Sequence, residues 1–174
     1  MGVVTCQVCQ NQMMLTRKDT TYLFDRDDFI CSAQCLLTRI HNTERQELST
    51  TGIRWFTETE MRNQRAERQV WSRDLNEFFR SEWELIIAGF LSFIGIPYIY
   101  EGVSISIGKR HYIPDFLLTD NNLFLEVKGL WLAGSKAKMR KIQKQREDIR
   151  FLVVPWVLRK SILEYLNAGT KAAK

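Results

Sequence analysis

The stretch that decides the fold runs from residue 113 to residue 129 and reads IPDFLLTDNNLFLEVKG. Two apolar runs flank the polar segment TDNN, a pattern that predicts two strands joined by a turn. Because successive side chains of a strand point to opposite faces, Glu126 and Lys128 share one face and Val127 packs on the other. Asp115 opens the first run. If the two strands are neighbours, Asp115 and Glu126 converge.

Converging carboxylates are chemically useful. Asp115 and Glu126 would offer hard oxygen ligands to one Mg²⁺ or Mn²⁺, with the Val127 carbonyl as a further ligand. Glu84 would approach from a helix upstream. Such a cation binds phosphate, lowers the pKa of an attacking water and neutralises developing charge, and Lys128 would hold or activate that water. Taken singly, an exposed turn and a surface ion pair would explain the same dipeptides.

The segments around this stretch predict the rest of the fold. In SEWE, residues 81–84, a serine followed three positions later by glutamate predicts a helix start, and Gly95 before Pro97 predicts its end. The runs PYIYEG, VSISIG, HYIPDFLL and LFLEVKG predict strands, SKAKMRKIQKQRED a basic helix, FLVVPWVL a strand and SILEYLN a last helix with a frayed tail. This order is typical of an α/β fold with a mixed central sheet flanked by helices.

These residues resemble the PD-(D/E)xK nuclease superfamily, through IPDFLL followed after seven residues by EVKG. Over roughly residues 81 to 155 the chain is similar to the phage-type Holliday junction resolvases. The resemblance implies a restriction-endonuclease-like core, a Mg-dependent endodeoxyribonuclease activity on branched DNA, a homodimer, and a phage or other mobile element as the source. It assigns catalysis and metal binding to Glu84, Asp115, Glu126 and Lys128. It assigns DNA contact to the basic helix, with Lys136, Lys138, Arg140, Lys141, Lys144 and Arg146.

All four cysteines lie near the start of the chain, as Cys6-x-x-Cys9 and Cys31-x-x-x-Cys35. Each pair has the spacing of a zinc knuckle, and two pairs complete a tetrahedral Zn²⁺ site around which a short segment can fold. Four sulfur ligands leave no position for water, so we predict a structural zinc. The alternative is four free thiols or a redox pair. The first residues lack a secretory signal, and we expect a cytoplasmic protein with reduced thiols.

Composition and charge narrow the class of protein. Of the 174 residues, 45% are hydrophobic and 26% charged, which favours a soluble globular protein over disorder or collagen. The longest uncharged run, 85–100, falls short of the roughly 20 apolar residues of a membrane span, so we expect no membrane anchor. Residues 81–134 carry 3 basic and 6 acidic groups, and residues 135–174 carry 11 and 3. A basic segment beside an acidic centre favours binding of nucleic acid together with metal cations. A solvated lysine-rich helix is the simpler explanation of the basic segment.

The chain divides into three predicted parts: a zinc-finger module over 1–43, a linker and helix over 44–80, and a nuclease domain over 81–174. The helix of the middle part would run through TETEMRNQRAERQVWSRDLNEFFR. Thr57 or Thr59 would cap it, with Glu60 near its first turn. One face of this helix would carry four apolar side chains, Trp71, Leu75, Phe78 and Phe79.

Two other functions stay open. In the first, the protein is a sequence-specific homing or restriction endonuclease whose finger helps to choose the site. In the second, it is a catalytically silent DNA-binding or assembly protein that keeps the nuclease fold. Three converging carboxylates argue against the silent protein, because their mutual repulsion costs stability when no metal is bound.

Overall fold

The structure is a computed structural model that describes residues 2–25, 28–64, 70–129, 131 and 134–172. The helices and strands follow in this order: β1 (Gly2–Thr5), β2 (Gln12–Leu15), α1 (Arg17–Tyr22), α2 (Ala33–His41), β3 (Ile53–Trp55), α3 (Glu58–Gln64), β4 (Val70–Ser72), β5 (Glu77–Phe79), α4 (Glu82–Phe93), β6 (Tyr98–Tyr100), β7 (Val103–Ile107), β8 (Arg110–Tyr112), β9 (Phe116–Leu118), β10 (Leu123–Lys128), α5 (Ser135–Gln145), β11 (Phe151–Pro155) and α6 (Arg159–Ala172). None of the helices in the described ranges is long and apolar enough to span a bilayer.

The central sheet has four strands in the order β11-β10-β9-β6. β10 and β11 are parallel, whereas β9 is antiparallel to both of its neighbours, so the sheet is mixed. Strands β9, β10 and β11 are buried almost throughout. Burial on both faces explains why these strands read as near-continuous apolar runs. The predicted mixed α/β arrangement is confirmed.

The two faces of this sheet belong to two separate cores. Leu123, Leu125 and Val127 of β10 pack into one core together with α4 and α6. Phe124, between them, packs into the other core, which contains apolar residues of β7 and α5. The alternation continues to Glu126 and Lys128, which therefore lie on the α5 face, as the period of two predicts.

The run HYIPDFLL, predicted as one strand, forms two. β8 pairs with β7 in a second sheet of order β3-β7-β8, and β9 pairs with β10 and β6 in the central sheet. The break falls at residues 113–115, where Pro114 has no N–H to donate to a ladder. The chain changes sheets there, immediately before β9.

The helix predicted across 57–80 is wrong in its second half. α3 starts as expected, with the Thr57 hydroxyl accepting a hydrogen bond from the Glu60 N–H at 3.3 Å. Residues 65–69 of the predicted helix lie outside the described residues. β4 and β5 then form an antiparallel hairpin in which Trp71 faces Phe78, with ring centroids 4.6 Å apart. The turn contains Asn76 at a φ of 50°, a conformation that ends a helix and suits a tight turn.

The hairpin separates the four apolar side chains that a helix would have placed on one face. Trp71 and Phe78 are exposed, whereas Phe79 is completely buried and its ring centroid lies 4.8 Å from that of Tyr100. Leu75 lies in the turn and is partly buried against the core. Phe79 contacts Tyr100, which is far away in the sequence, and the segment forms a hairpin although its local pattern favours a helix.

The N-terminal segment shares the main core. Buried residues of β1, β2 and α2 belong to the same hydrophobic cluster as those of α4 and α6. The Ala33 N–H donates to the Ser161 hydroxyl at 2.9 Å, and the Asn121 side-chain amide donates to the Ile40 carbonyl at 3.1 Å. The segment is therefore anchored to the rest of the protein by both apolar and polar contacts.

The last helix is longer than predicted. α6 spans Arg159–Ala172 and so includes 168–172 of the predicted frayed tail, while residues 173–174 lie outside the described residues. Its Gly169 lies so close to the Phe93 ring of α4 that an added Cβ would be 2.1 Å from the ring. This close approach holds the end of α6 against the end of α4.

Candidate active site and metal centre

Asp115 and Glu126 lie side by side in the central sheet, where its two inner strands β9 and β10 meet at the start of β9. In the β9–β10 register Phe116 faces Leu125, and one further step brings Asp115 opposite Glu126. Both residues are buried, with 7% of Asp115 and 2% of Glu126 exposed. Asp115 Oδ2 accepts a hydrogen bond from the Val127 N–H at 2.7 Å, which fixes its carboxylate against β10. The predicted proximity of the two carboxylates is present.

Lys128 supplies the positive charge of this group. Its ammonium forms an ion pair with Glu126 Oε1. Burial alone would lower the pKa of Lys128, but the charges of Glu126, Asp115 and Glu84 outweigh it and raise the pKa. Lys128 is therefore a cation at neutral pH, suited to holding an anion rather than to accepting a proton.

One lysine does not balance the carboxylates. Burial, and next to it the charge of Glu126, raises the pKa of Asp115 well above its ordinary value, with a smaller contribution from Glu84. Glu126 Oε2 is buried and accepts no hydrogen bond of normal geometry from the described residues, although the Tyr112 hydroxyl is near enough for Glu126 to raise its pKa. A buried carboxylate oxygen without a partner is costly. A divalent cation would satisfy that oxygen and both charges, so the residues present fit a Mg²⁺ or Mn²⁺ ion.

Glu84 lies in the first turn of α4 and is held by residues outside the motif. As predicted, the Ser81 hydroxyl caps the helix by accepting from the Glu84 N–H at 3.2 Å. The Glu84 carboxylate, however, accepts from the Arg80 N–H at 3.1 Å and from the Tyr100 hydroxyl at 2.5 Å. In a capping box the Glu84 carboxylate would accept from the Ser81 N–H. Here the hydrogen bonds from Arg80 and Tyr100 take its place.

The three carboxylates are not equally close. In the described part of the chain, the ligand atoms of the four cysteines all lie within 4.8 Å of one another. The carboxylate oxygens of Glu84, Asp115 and Glu126 do not form such a set. The charge of Glu84 nonetheless acts on Asp115 and on Lys128. Asp115, Glu126 and Lys128 therefore form the centre of the site, and Glu84 lies at its edge.

Three residues of the site were not found from the sequence: Arg80, Tyr100 and Glu101. The Arg80 guanidinium donates to Glu101 Oε1 at 2.6 Å, and the Glu101 N–H donates to the Asp115 carbonyl at 2.9 Å. Glu101 is buried and has a φ of 44°, which is rare for a residue with a side chain. The sequence signal that could have pointed to Glu101 is its position as an acidic residue directly after the apolar strand YIY.

The predicted DNA-contacting cations of α5 differ in their surroundings. Arg146 donates two hydrogen bonds to Asp148, at 2.8 and 2.7 Å, and is largely buried. Arg140 lies 3.9 Å from Asp25. Lys136 lies 5.6 Å from the Trp131 ring centroid. The remaining three, Lys138, Lys141 and Lys144, are exposed and form no ion pair with any described residue.

The four cysteine sulfurs lie within 4.8 Å of one another. Cys31 Sγ is 3.5 Å from that of Cys9 and 3.6 Å from that of Cys35. Four sulfurs at about 2.3 Å from a tetrahedral Zn²⁺ are about 3.8 Å apart, close to these separations. The arrangement can therefore hold a structural metal ion.

Local backbone structure explains why the cysteines converge. The turn after Cys6 is closed by the Gln10 N–H donating to the Cys6 carbonyl at 3.0 Å. Cys35 lies in the first turn of α2, whose cap Ser32 accepts from the Cys35 N–H at 3.2 Å. Burial would raise the pKa of Cys6, but hydrogen bonds from backbone N–H groups, that of Cys9 first, lower it to about 6. The turn thus stabilises the Cys6 thiolate, the form that binds metal, whereas burial raises the pKa of Cys31 and of Cys35.

Family models, curated proteins and solved structures were all compared with this chain, and none of them matches it.

Proposed function

We propose that this protein is a metal-dependent DNA endonuclease of the PD-(D/E)xK type that hydrolyses phosphodiester bonds in branched DNA, as a Holliday junction resolvase does. One observation carries the proposal. Among the described residues, two buried carboxylates, Asp115 and Glu126, share a single lysine, and Glu126 Oε2 accepts no hydrogen bond of normal geometry, although the Tyr112 hydroxyl is near it. An apolar or fully paired group would be more stable in a protein without a cation, so a cation ligand accounts for the arrangement.

In this proposal Asp115 and Glu126 hold Mg²⁺ or Mn²⁺, with the Val127 carbonyl as a further ligand, while Glu84 acts on the site from its edge through its charge. When bound, the cation neutralises phosphate charge and lowers the pKa of the attacking water. The Val127 N–H keeps Asp115 oriented, and Tyr100 with the Arg80 N–H keeps Glu84 at the rim. Lys128, held as an ammonium, stabilises the negative charge that develops on the phosphate.

Two features favour DNA as the substrate. The acidic group lies on the α5 face of the sheet, and α5 carries the exposed cations Lys138, Lys141 and Lys144. Positive charge beside a site of this kind attracts a polyanion. The resemblance further implies a homodimer, which would place two such sites on the two strands to be cut.

The cysteine cluster is proposed to hold a structural Zn²⁺ rather than to form a separate reading arm. Its helix α2 buries Ala33, Leu36 and Ile40 in the same core as α4 and α6. A module that reads bases independently would need a surface and a linker of its own. The shared core therefore favours the resolvase over a site-specific endonuclease guided by its finger.

The decisive experiment is cleavage, with and without Mg²⁺, of a four-way junction, a linear duplex, a supercoiled plasmid and long genomic DNA. Paired nicks at the junction with little cutting of duplex would support a resolvase. Cutting of long DNA at a few discrete places would replace it with a site-specific endonuclease. No metal-dependent cleavage of any substrate would refute the endonuclease and favour a silent DNA-binding protein.

Two variants test the assigned residues. Asp115→Asn and Lys128→Ala should abolish cleavage while DNA binding in the presence of Mg²⁺ persists. Asp120→Asn, in the exposed turn after β9, and Lys160→Ala, exposed on α6, are matched controls that should cleave normally. Cleavage by the active-site variants at the rate of their controls would remove these residues from catalysis.

A further inference from the structure

A groove beside the candidate active site is lined by cations of two different elements. Arg110 of β8 forms one wall, and Lys138 and Lys141 of α5 form the other. Ile107 and Ala137 add an apolar floor, and the groove has a volume of about 260 Å³. Arg110 is not among the DNA-contacting residues predicted from the sequence.

The positive charges of this groove are not paired with acidic side chains of the described residues. Arg110, Lys138 and Lys141 are exposed, and none of them is ion-paired with a residue that the structure describes. Arg140 on the same helix and Arg146 directly after it are instead paired with Asp25 and Asp148, respectively. Three like charges that face one groove repel one another, so an anion bound between them would relieve the repulsion.

The start of α5 adds further positive potential to the groove. The helix has 11 residues and begins after Gly134, which lines the groove at a φ of 80° and provides no side-chain cap. The backbone N–H groups at the start of a helix carry partial positive charge and are suited to phosphate oxygens.

The groove is connected to the active site through one side chain. Lys138 Nζ lies 5.0 Å from the centroid of the Tyr112 ring. The Tyr112 hydroxyl is buried, and its pKa is raised by burial and then by the charges of Glu126 and Asp115. The groove and the carboxylates are therefore separated by about the length of one tyrosine side chain, on the same face of the sheet.

We infer that the groove between Arg110 and α5 binds a DNA backbone phosphate that flanks the scissile one. This inference rests on the proposed endonuclease function and adds a contact to it. The phosphate would fix the strand relative to Asp115 and Glu126 without reading its sequence, since phosphate contacts position a nucleic acid and base contacts specify it.

The test is equilibrium binding of the full-length protein to a fluorescein-labelled duplex and a four-way junction, without divalent cation and over a series of salt concentrations. One phosphate contact adds about 0.9 to the slope of log affinity against log salt, which corresponds to about eightfold in affinity at about 0.1 M salt relative to 1 M. Arg110→Ala is expected to lose this slope and weaken binding about eightfold on both substrates. Arg110→Lys should keep most of the slope. The control Arg73→Ala, an exposed arginine in the β4–β5 turn, should change neither.

Failure of the groove and failure of the endonuclease are distinguishable. If the wild type cleaves DNA but Arg110→Ala binds like Arg73→Ala, the groove proposal is overturned and the endonuclease stands. If Arg110→Ala shows the expected loss while the wild type never cleaves, the groove stands and the endonuclease does not. Absence of DNA binding by the wild type overturns the groove as well.

A neutral methylphosphonate substituted at single positions near the cut locates the contact. At the position that Arg110 binds, the substitution should weaken the wild type about eightfold and leave Arg110→Ala almost unchanged, because the contact is already lost. Equal weakening of both proteins at every flanking position would overturn the assignment.

Discussion

Replacing Asp115 with asparagine should stabilise this protein in the absence of divalent cations. Asp115 is buried beside Glu126, and its pKa is raised by burial and by the charge of that neighbour. Asparagine has the same shape, and its carbonyl oxygen can still accept the 2.7 Å hydrogen bond from the Val127 N–H. The substitution therefore removes one negative charge and little else.

The magnitude follows from the charges. Two unit charges about 4 Å apart interact by about 4 kcal/mol at an effective dielectric constant of about 20. Lys128 offsets part of the repulsion between the two carboxylates. We therefore expect Asp115→Asn to gain about 1–2 kcal/mol, or roughly 2–8 °C in Tm for a chain of this size.

The pH dependence has a definite sign. An acid whose pKa is raised on folding binds more protons in the folded state than in the unfolded state. The penalty from Asp115 is therefore absent below its unfolded pKa of about 3.9. It grows as pH rises towards the folded-state pKa and is complete above it. Wild-type stability without divalent cations should fall over that window, and Asp115→Asn should fall less.

The assay is urea unfolding at several pH values, with divalent cations removed and then with Mg²⁺ added. Mg²⁺ at about 100 times its Kd should stabilise the wild type by about 2.7 kcal/mol and stabilise Asp115→Asn much less. Asp120→Asn, in the exposed turn, is the control that should follow the wild type. The reasoning is refuted if Asp115→Asn is no more stable than this control without metal, or if Mg²⁺ stabilises both variants equally.

Three further predictions concern other parts of the structure. Tyr100→Phe removes the hydroxyl that holds Glu84 and should cost about 1–3 kcal/mol and slow cleavage, with the effects read from urea unfolding and junction cleavage; unchanged cleavage would contradict the positioning of Glu84. Gly89→Ala, with open space around it, should gain about 0.5–1 kcal/mol in the same assay, whereas Gly169→Ala should gain less, because its Cβ would have to displace the half-exposed Phe93 ring. Cys35→Ser should abolish zinc in native mass spectrometry and lower the Tm of the whole protein, since the cluster shares the main core; a wild type that carries no zinc, with all thiols free, would contradict the site.

The centre of the site could be predicted because it depends on local geometry. The alternation of β10 alone places Glu126 and Lys128 on one face, and a short turn between β9 and β10 brings Asp115 beside them. The cysteine cluster could be predicted for a similar reason, since ligand spacing within each pair is short. Both predictions needed only neighbours along the chain and one strand pairing.

Contacts between distant residues could not be predicted in this way. The Tyr100 hydroxyl on β6 donates a hydrogen bond to Glu84, and the Phe79 ring is buried against the Tyr100 ring. Residues 70–79, which end at Phe79, form a hairpin. The sequence of that segment is rich in charge and has apolar residues at helical spacing, so local pattern favoured a helix. Burial of the Phe79 ring is a tertiary contact, and such contacts can override a local helical pattern.

The burial of β10 indicates why an acidic pair in this place calls for a ligand. On the α5 face, the row begins with Phe124, completely buried, and continues to Glu126, which is almost as buried. An apolar residue at 126 would extend the α5 core at no electrostatic cost, whereas a carboxylate there must be desolvated next to Asp115. Lys128 compensates for one of the two charges, and Glu126 Oε2 accepts no hydrogen bond of normal geometry from the described residues. In the function proposed above, a divalent cation would compensate for the other charge, and its binding would stabilise the sheet at this point.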